Sequence, residues 1–127
     1  MIYQMLMLRK NRVLLRKRKK YIKNRNTFTS KTGKKTIMKS SWEKLYAKYL
    51  EKNNIYWEYE TIGFKTSIGK YFPDFIIYKN NKIIEIVEIK GRLFPKAKIK
   101  MEQFRLLYPT LKFTVLFRED LKKLGIL

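Results

Sequence analysis

Residues 70–91 read Lys70-Tyr71-Phe72-Pro73-Asp74-Phe75-Ile76-Ile77-Tyr78-Lys79-Asn80-Asn81-Lys82-Ile83-Ile84-Glu85-Ile86-Val87-Glu88-Ile89-Lys90-Gly91. Two runs rich in Ile, Val, Phe and Tyr flank Asn80-Asn81, a residue pair that suits a tight reversal. The segment is therefore expected to form a β-hairpin with strands over residues 70–78 and 83–90. Acids interrupt these strands at Asp74 and Glu88. A carboxylate in an apolar strand carries a desolvation cost, so each of the two calls for a reason.

Working outward, Trp42, Leu45, Tyr46, Tyr49 and Leu50 recur at helical spacing, with Ser40 as the candidate N-cap and Asn53-Asn54 as the stop. Residues 55–62 alternate in the manner of a strand with one wetter face, on which Glu58 and Glu60 fall. Residues 63–69 read as a loop or an irregular extension. Beyond Gly91, Pro95 opens a second helix whose apolar positions are Ala97, Met101, Phe104 and Tyr108, and Pro109 stops it. Residues 113–117 form a last strand, and residues 120–124 a terminal helical turn closed by Gly125. From Ser40 the order is α, β, β, β, α, β, an α/β class. Upstream, residues 27–38 suggest a short hairpin turning at Thr32-Gly33, and residues 1–26 a loosely helical basic arm. The expected organisation is an arm and hairpin over 1–39 and a core over 40–127, without internal repeats.

The formal charge is +21, from 31 Lys and Arg against 10 Asp and Glu. No acid precedes Glu43, and residues 1–42 hold 14 of the basic side chains. The remaining 17 bases face all 10 acids over residues 43–127, so the polycation is concentrated in the first third. Such a block is stabilised by an opposite polymer, which makes nucleic acid the expected partner. Arg16, Lys17, Arg18, Lys19 and Lys20 would grip phosphates without reading bases, and Arg92, Lys96, Lys98 and Lys100 would track the same strand near Glu88. The sequence has neither cysteine nor histidine. That removes disulfides, thiolate metal sites, the commonest zinc ligand and the commonest general base. Residues 1–8 are apolar and precede positive charge, the reverse of a signal peptide, so an intracellular, soluble protein that binds no membrane is expected.

Hydrolysis of a phosphodiester requires charge neutralisation and an activated water. Without histidine, Mg²⁺ held by carboxylates is the economical route, with Mn²⁺ as its expected substitute and no small-molecule cofactor required. Glu88 and Lys90, two apart on a strand, point to one face, where one can bind a metal and the other can meet water or phosphate. The Glu-x-Lys spacing alone is not specific, and it gains meaning from Pro73-Asp74 upstream and the order of elements around it. Together, Pro73-Asp74, Glu88-Ile89-Lys90 and that order resemble the PD-(D/E)xK nuclease superfamily over residues 40–117. The resemblance implies a restriction-endonuclease-like αβββαβ core with a mixed central sheet flanked by helices. It implies that Asp74, Glu88 and the Ile89 carbonyl bind Mg²⁺ and that Lys90 orients the attacking water or stabilises phosphate charge. Glu43 resembles the glutamate often found on the first core helix, where it would support a metal or its water. The size and basic arm are similar to phage-type endonucleases, Holliday-junction resolvases and transposon end-cleaving subunits. The substrate implied is DNA, branched or duplex, and a homodimer suits the two coordinated cuts of a resolvase. Gln103 and Tyr108 are five apart rather than four, so they do not match a related branch that carries glutamine and tyrosine on this helix.

Simpler roles exist for the same residues. Glu43, three after Ser40, can complete a capping box, Asp74 can be a turn residue and Lys90 a solvated strand end. The alternative reading is a non-catalytic basic nucleic-acid-binding protein, ribosome-associated or architectural. Register distinguishes them in part. A regular two-residue turn at Asn80-Asn81 pairs Lys79 with Lys82 and sets Asp74 opposite Val87, away from Glu88. A three-residue loop, residues 80–82, or a bulge between Phe75 and Val87, sets Asp74 across from Glu88. The chemistry requires one of the latter two.

Overall fold

A computed structural model describes residues 26–127. Its contacts divide the chain into two units, Met1–Lys44 and Leu45–Leu127. Arg16, Lys17, Arg18, Lys19 and Lys20, with the arm expected around them, lie outside the described residues.

In the first unit, β1 (Thr27–Thr29) and β2 (Lys35–Ile37) pair antiparallel with Phe28 opposite Thr36, the hairpin expected for this stretch. The Gly33 N–H donates to the Ser30 carbonyl at 2.9 Å and the Ser30 N–H to the Lys34 carbonyl at 2.9 Å. Gly33 has φ 86°, a conformation that strains any side chain. Helix α1 (Ser41–Lys52) begins where Ser40 Oγ accepts the Glu43 backbone N–H at 3.2 Å. It ends at Asn54, whose φ of 56° lies in the left-handed region asparagine tolerates.

The second unit is mixed α/β. Its main sheet runs β3–β6–β7–β8, with β3 (Tyr56–Tyr59), β6 (Phe75–Lys79), β7 (Lys82–Ile89) and β8 (Phe113–Leu116). The first three are antiparallel neighbours, and β8 is parallel to β7. A parallel pair needs a crossover, and helix α2 (Pro95–Leu107) supplies it, with Pro95 in its first turn. Helix α3 (Arg118–Lys123) follows β8.

Four expectations are corrected. Residues 63–69 are not a loop: β4 (Phe64–Thr66) and β5 (Gly69–Tyr71) make a separate two-stranded hairpin there. The single strand expected over residues 70–78 is split into β5 and β6, because Pro73 has no N–H to give a ladder. Strand β3 stops at Tyr59 rather than residue 62, because Glu60 takes φ 51° and leaves the extended region. At the other end, α3 starts at Arg118 rather than Asp120, because Asp120 Oδ2 accepts the Phe117 N–H at 2.8 Å and so caps the helix from within.

Strands β6 and β7 occupy the middle of the sheet, and both faces between them are apolar. On one face Ile76 and Ile86, paired across the strands, pack with Phe64, Tyr71, Met101 and Phe104. On the other, the Phe75 ring meets Tyr46 at 5.0 Å, Trp57 at 5.6 Å and Tyr59 at 5.5 Å. These aromatic contacts run largely edge to face, as ring quadrupoles favour.

The β6–β7 turn decides the register. Asn80 (φ 54°) and Asn81 (φ 62°) are both left-handed, as a type I′ turn requires, and Lys79 pairs with Lys82. The three-residue loop is thereby excluded. Tyr78 pairs with Ile83, but Ile77 pairs with Glu85, so Ile84 is an extra residue bulged out of the ladder. After the bulge Phe75 faces Val87. One further step sets Asp74 across from Glu88.

Candidate active site

Pro73 breaks the ladder at the point where β6 begins, and side chains take over the backbone donors beyond Phe75. The Asp74 N–H donates to Glu88 Oε2 at 3.1 Å, and the Ile89 N–H donates to Asp74 Oδ2 at 2.8 Å. This reciprocal clasp holds the two acids against each other's strand. The Asp74 carbonyl accepts the Glu60 N–H at 3.0 Å from the β3 side, and the Lys90 N–H donates to the Leu116 carbonyl at 3.0 Å on the β8 side. Backbone hydrogen bonds thus brace the cluster from both sides.

Alternation puts Glu88 on the face of Ile86 and Asp74 on the face of Ile76, the side lined by Tyr71 and Phe104. Asp74 is 5% exposed and Glu88 4%. The Lys90 ammonium lies 3.2 Å from Glu88 Oε1, and its side chain keeps 28% of its surface in solvent. Lys90 therefore neutralises a buried acid while remaining reachable from outside. Asp74, Glu88, Ile89 and Lys90, selected from the sequence, are brought together.

Tyr71 was not singled out by sequence reasoning. Its hydroxyl donates to Glu88 Oε2 at 2.8 Å, from a strand seventeen residues earlier. Burial, and then the Glu88 carboxylate, push that hydroxyl far above the ordinary tyrosine value, so it remains a donor. No local pattern marks Tyr71. The signal that could have found it is the need of a buried carboxylate for donors from outside its own strand.

Glu43 lies buried in the first turn of α1. Its Oε1 accepts the Ser40 hydroxyl at 3.1 Å, and its N–H donates to the same oxygen, so the cap expected from the spacing is formed by way of the serine side chain. Among the described residues no three Asp or Glu side chains gather into a ready-made cation cage. Glu58 hydrogen-bonds Tyr78, and burial together with that bond push the tyrosine up to about 12. Arg92, Lys96, Lys98 and Lys100 are all exposed, with the Arg92 guanidinium 5.3 Å above the Phe94 ring. Gln103 and Tyr108 have structural partners: Gln103 Oε1 accepts the Ser67 hydroxyl at 2.5 Å, and Tyr108 donates to the Lys65 carbonyl at 3.0 Å. Both fasten the β4–β5 hairpin to α2.

The donors at the cluster are the two carboxylates, hard oxygens. That suits Mg²⁺, which binds through one or two carboxylates and keeps its other positions for water and phosphate. Among the described residues no helix is long and apolar enough to cross a membrane. No curated protein and no solved structure matches the chain. A family does match over residues 16–123, and the chain belongs to it: it is described as protein of unknown function (DUF1064).

Proposed function

We propose that this protein is a Mg²⁺-dependent DNA endonuclease with a restriction-endonuclease-like core. The observation that carries the reading is the meeting of Asp74, Glu88 and Lys90 at one point of the sheet, in the register that the bulge at Ile84 sets. The order α1, β3, β6, β7, α2, β8, with three antiparallel strands followed by a parallel one, supports it. The β4–β5 hairpin is then an insertion in that core.

In this reading Asp74, Glu88 and the Ile89 carbonyl hold the metal, which supplies charge neutralisation at the phosphate and a more acidic water. Lys90 leaves Glu88 Oε1 and turns its ammonium to the water or to a phosphate oxygen. Arg92, Lys96 and Lys98 lie along the phosphate backbone, and Arg16, Lys17, Arg18, Lys19 and Lys20 contribute affinity that falls with salt. Branched DNA, cut by a homodimer, is the substrate proposed.

The test is cleavage of supercoiled plasmid and of a labelled four-way junction, with Mg²⁺ or EDTA, by the wild type and by Lys90→Ala. Cutting that requires Mg²⁺ and disappears in the variant supports the reading, and the preferred substrate separates a resolvase from a general endonuclease. Binding without cutting under Mg²⁺ and Mn²⁺ refutes it.

One observation favours a second reading. Lys90 and Glu88 already form an ion pair at 3.2 Å, so the cluster is close to self-neutral and could serve the fold of a non-catalytic DNA- or RNA-binding protein. Asp74→Ala separates the two, since an enzyme loses cutting and keeps binding.

A further inference from the structure

We infer that Tyr71 is a positioning residue, which sets the orientation of the Glu88 carboxylate for its metal. The inference rests on the metal-site reading above and adds to it a residue outside the strand pair that carries the acids.

The terminal torsion of a glutamate is broad, so a carboxylate on a strand is not oriented by its backbone alone. Glu88 is fixed by three partners. Oε2 accepts both the Tyr71 hydroxyl at 2.8 Å and the Asp74 N–H at 3.1 Å, and Oε1 is left to Lys90 at 3.2 Å. Two donors on one oxygen turn the other towards the exposed ammonium. That second oxygen is the one a cation can reach.

Tyr71 is itself held. Its ring centroid lies 5.3 Å from Phe104 at 65° and 6.2 Å from Phe113 at 55°. Phenylalanine would fill the same space without a polar atom to desolvate, so packing does not account for the hydroxyl. Its bond to Glu88 does. Tyr71 also ends β5, whose hairpin is fastened to α2 through Ser67–Gln103 and Tyr108–Lys65. The hydroxyl is therefore delivered from a braced element and cannot follow Glu88 if the acid turns.

Residues that orient a ligand in this way typically cost 10–100-fold in metal affinity when removed. The experiment is calorimetric titration of the full chain with Mn²⁺ alone, for the wild type, Tyr71→Phe and Phe104→Leu. Tyr71→Phe keeps the ring and leaves Glu88 two partners, Asp74 N–H and Lys90, so the fold is retained; near-ultraviolet circular dichroism checks it. The expected result is a dissociation constant raised about 10–100-fold in Tyr71→Phe, while Phe104→Leu, which loosens the same packing, melts earlier but binds Mn²⁺ like the wild type. Equal affinity in Tyr71→Phe and wild type overturns the inference and leaves the metal site standing. Equal weakening in both variants overturns it too, since packing would then be the cause. A wild type that takes up no Mn²⁺ overturns the metal-site reading itself.

Discussion

Replacing Lys90 by methionine keeps the aliphatic stem and removes the ammonium that lies 3.2 Å from Glu88 Oε1. Without metal, the variant leaves a carboxylate 4% exposed with two neutral donors and no cation. Breaking a fully buried pair costs about 3–5 kcal/mol. Lys90 keeps over a quarter of its side chain in water, which screens the pair, and the two donors remain, so a loss of about 1–2 kcal/mol is expected. For a domain of this size, each kcal/mol moves the melting temperature by roughly 4–8 °C. Thermal melts in EDTA should therefore place Lys90→Met about 5–15 °C below the wild type by the same scaling. Mn²⁺ changes the comparison. A cation bound at Glu88 meets no competing ammonium in the variant, and at a hundredfold excess over its dissociation constant it stabilises by about 2.7 kcal/mol. The deficit seen in EDTA should close, or reverse, in saturating Mn²⁺, while cleavage is lost. If the two proteins melt together in EDTA, Lys90 does not neutralise Glu88. If Mn²⁺ shifts neither melt, the acids hold no metal.

Phe104 is fully buried against Phe64, Tyr71, Tyr108 and Phe113, so Phe104→Ala should cost about 3–5 kcal/mol in urea unfolding. Deleting the bulged, half-exposed Ile84 makes Ile83 and Glu85 consecutive and keeps Phe75 opposite Val87, so the shortened protein should fold and still cut DNA. A folded deletion that does not cut would show that the bulge shapes the site beyond setting its register. Burial raises the hydroxyls of Tyr46 and Tyr71 above the unfolded value of 10.0, with Glu85 and Glu88 as the next causes. A raised value in the fold means stability that is intact below pH 10.0 and is lost as pH rises above it. Absorbance at 295 nm should therefore show these two ionising together with alkaline unfolding, and their titration in a still-folded protein would contradict the burial.

Much of the fold was legible because its signals are local. The hairpin turn was carried by two asparagines, α1 by its apolar spacing and its serine cap, and α2 by the prolines before and after it. The β4–β5 hairpin was not legible, because Phe64-Lys65-Thr66 and Gly69-Lys70-Tyr71 are too short to show a period, and their stability comes from Phe64 and Tyr71 packing on Phe104. The bulge was legible only conditionally: the turn residues specify Lys79 opposite Lys82, whereas the pairing of Phe75 with Val87 is imposed by which residues the sheet buries. Asp74, Glu88 and Lys90 could be named because acids on apolar strands are conspicuous. Tyr71 could not, because an aromatic residue in a strand already has an ordinary explanation.

Two irregularities meet at the acids. Pro73 withholds a ladder hydrogen bond where β6 begins, and Ile84 adds a residue that pairs with nothing on β6. Remove the extra residue's effect on register, with the same tight turn, and Asp74 stands opposite Val87, on the face away from Glu88. With it, Asp74 and Glu88 share a face and exchange hydrogen bonds through Asp74 N–H and Ile89 N–H. The outcome is costly for a purely structural purpose. Two carboxylates at 5% and 4% exposure lie beside a single lysine, where apolar residues of similar volume are often as stable or more so. Local departures from the rules of a well-formed hairpin converge here on an arrangement that stability alone does not favour, and that convergence supports the proposed site. In the function proposed here, a cation at Asp74 and Glu88 would add positive charge beside the acids, the same charge that a phosphodiester needs opposite its oxygens.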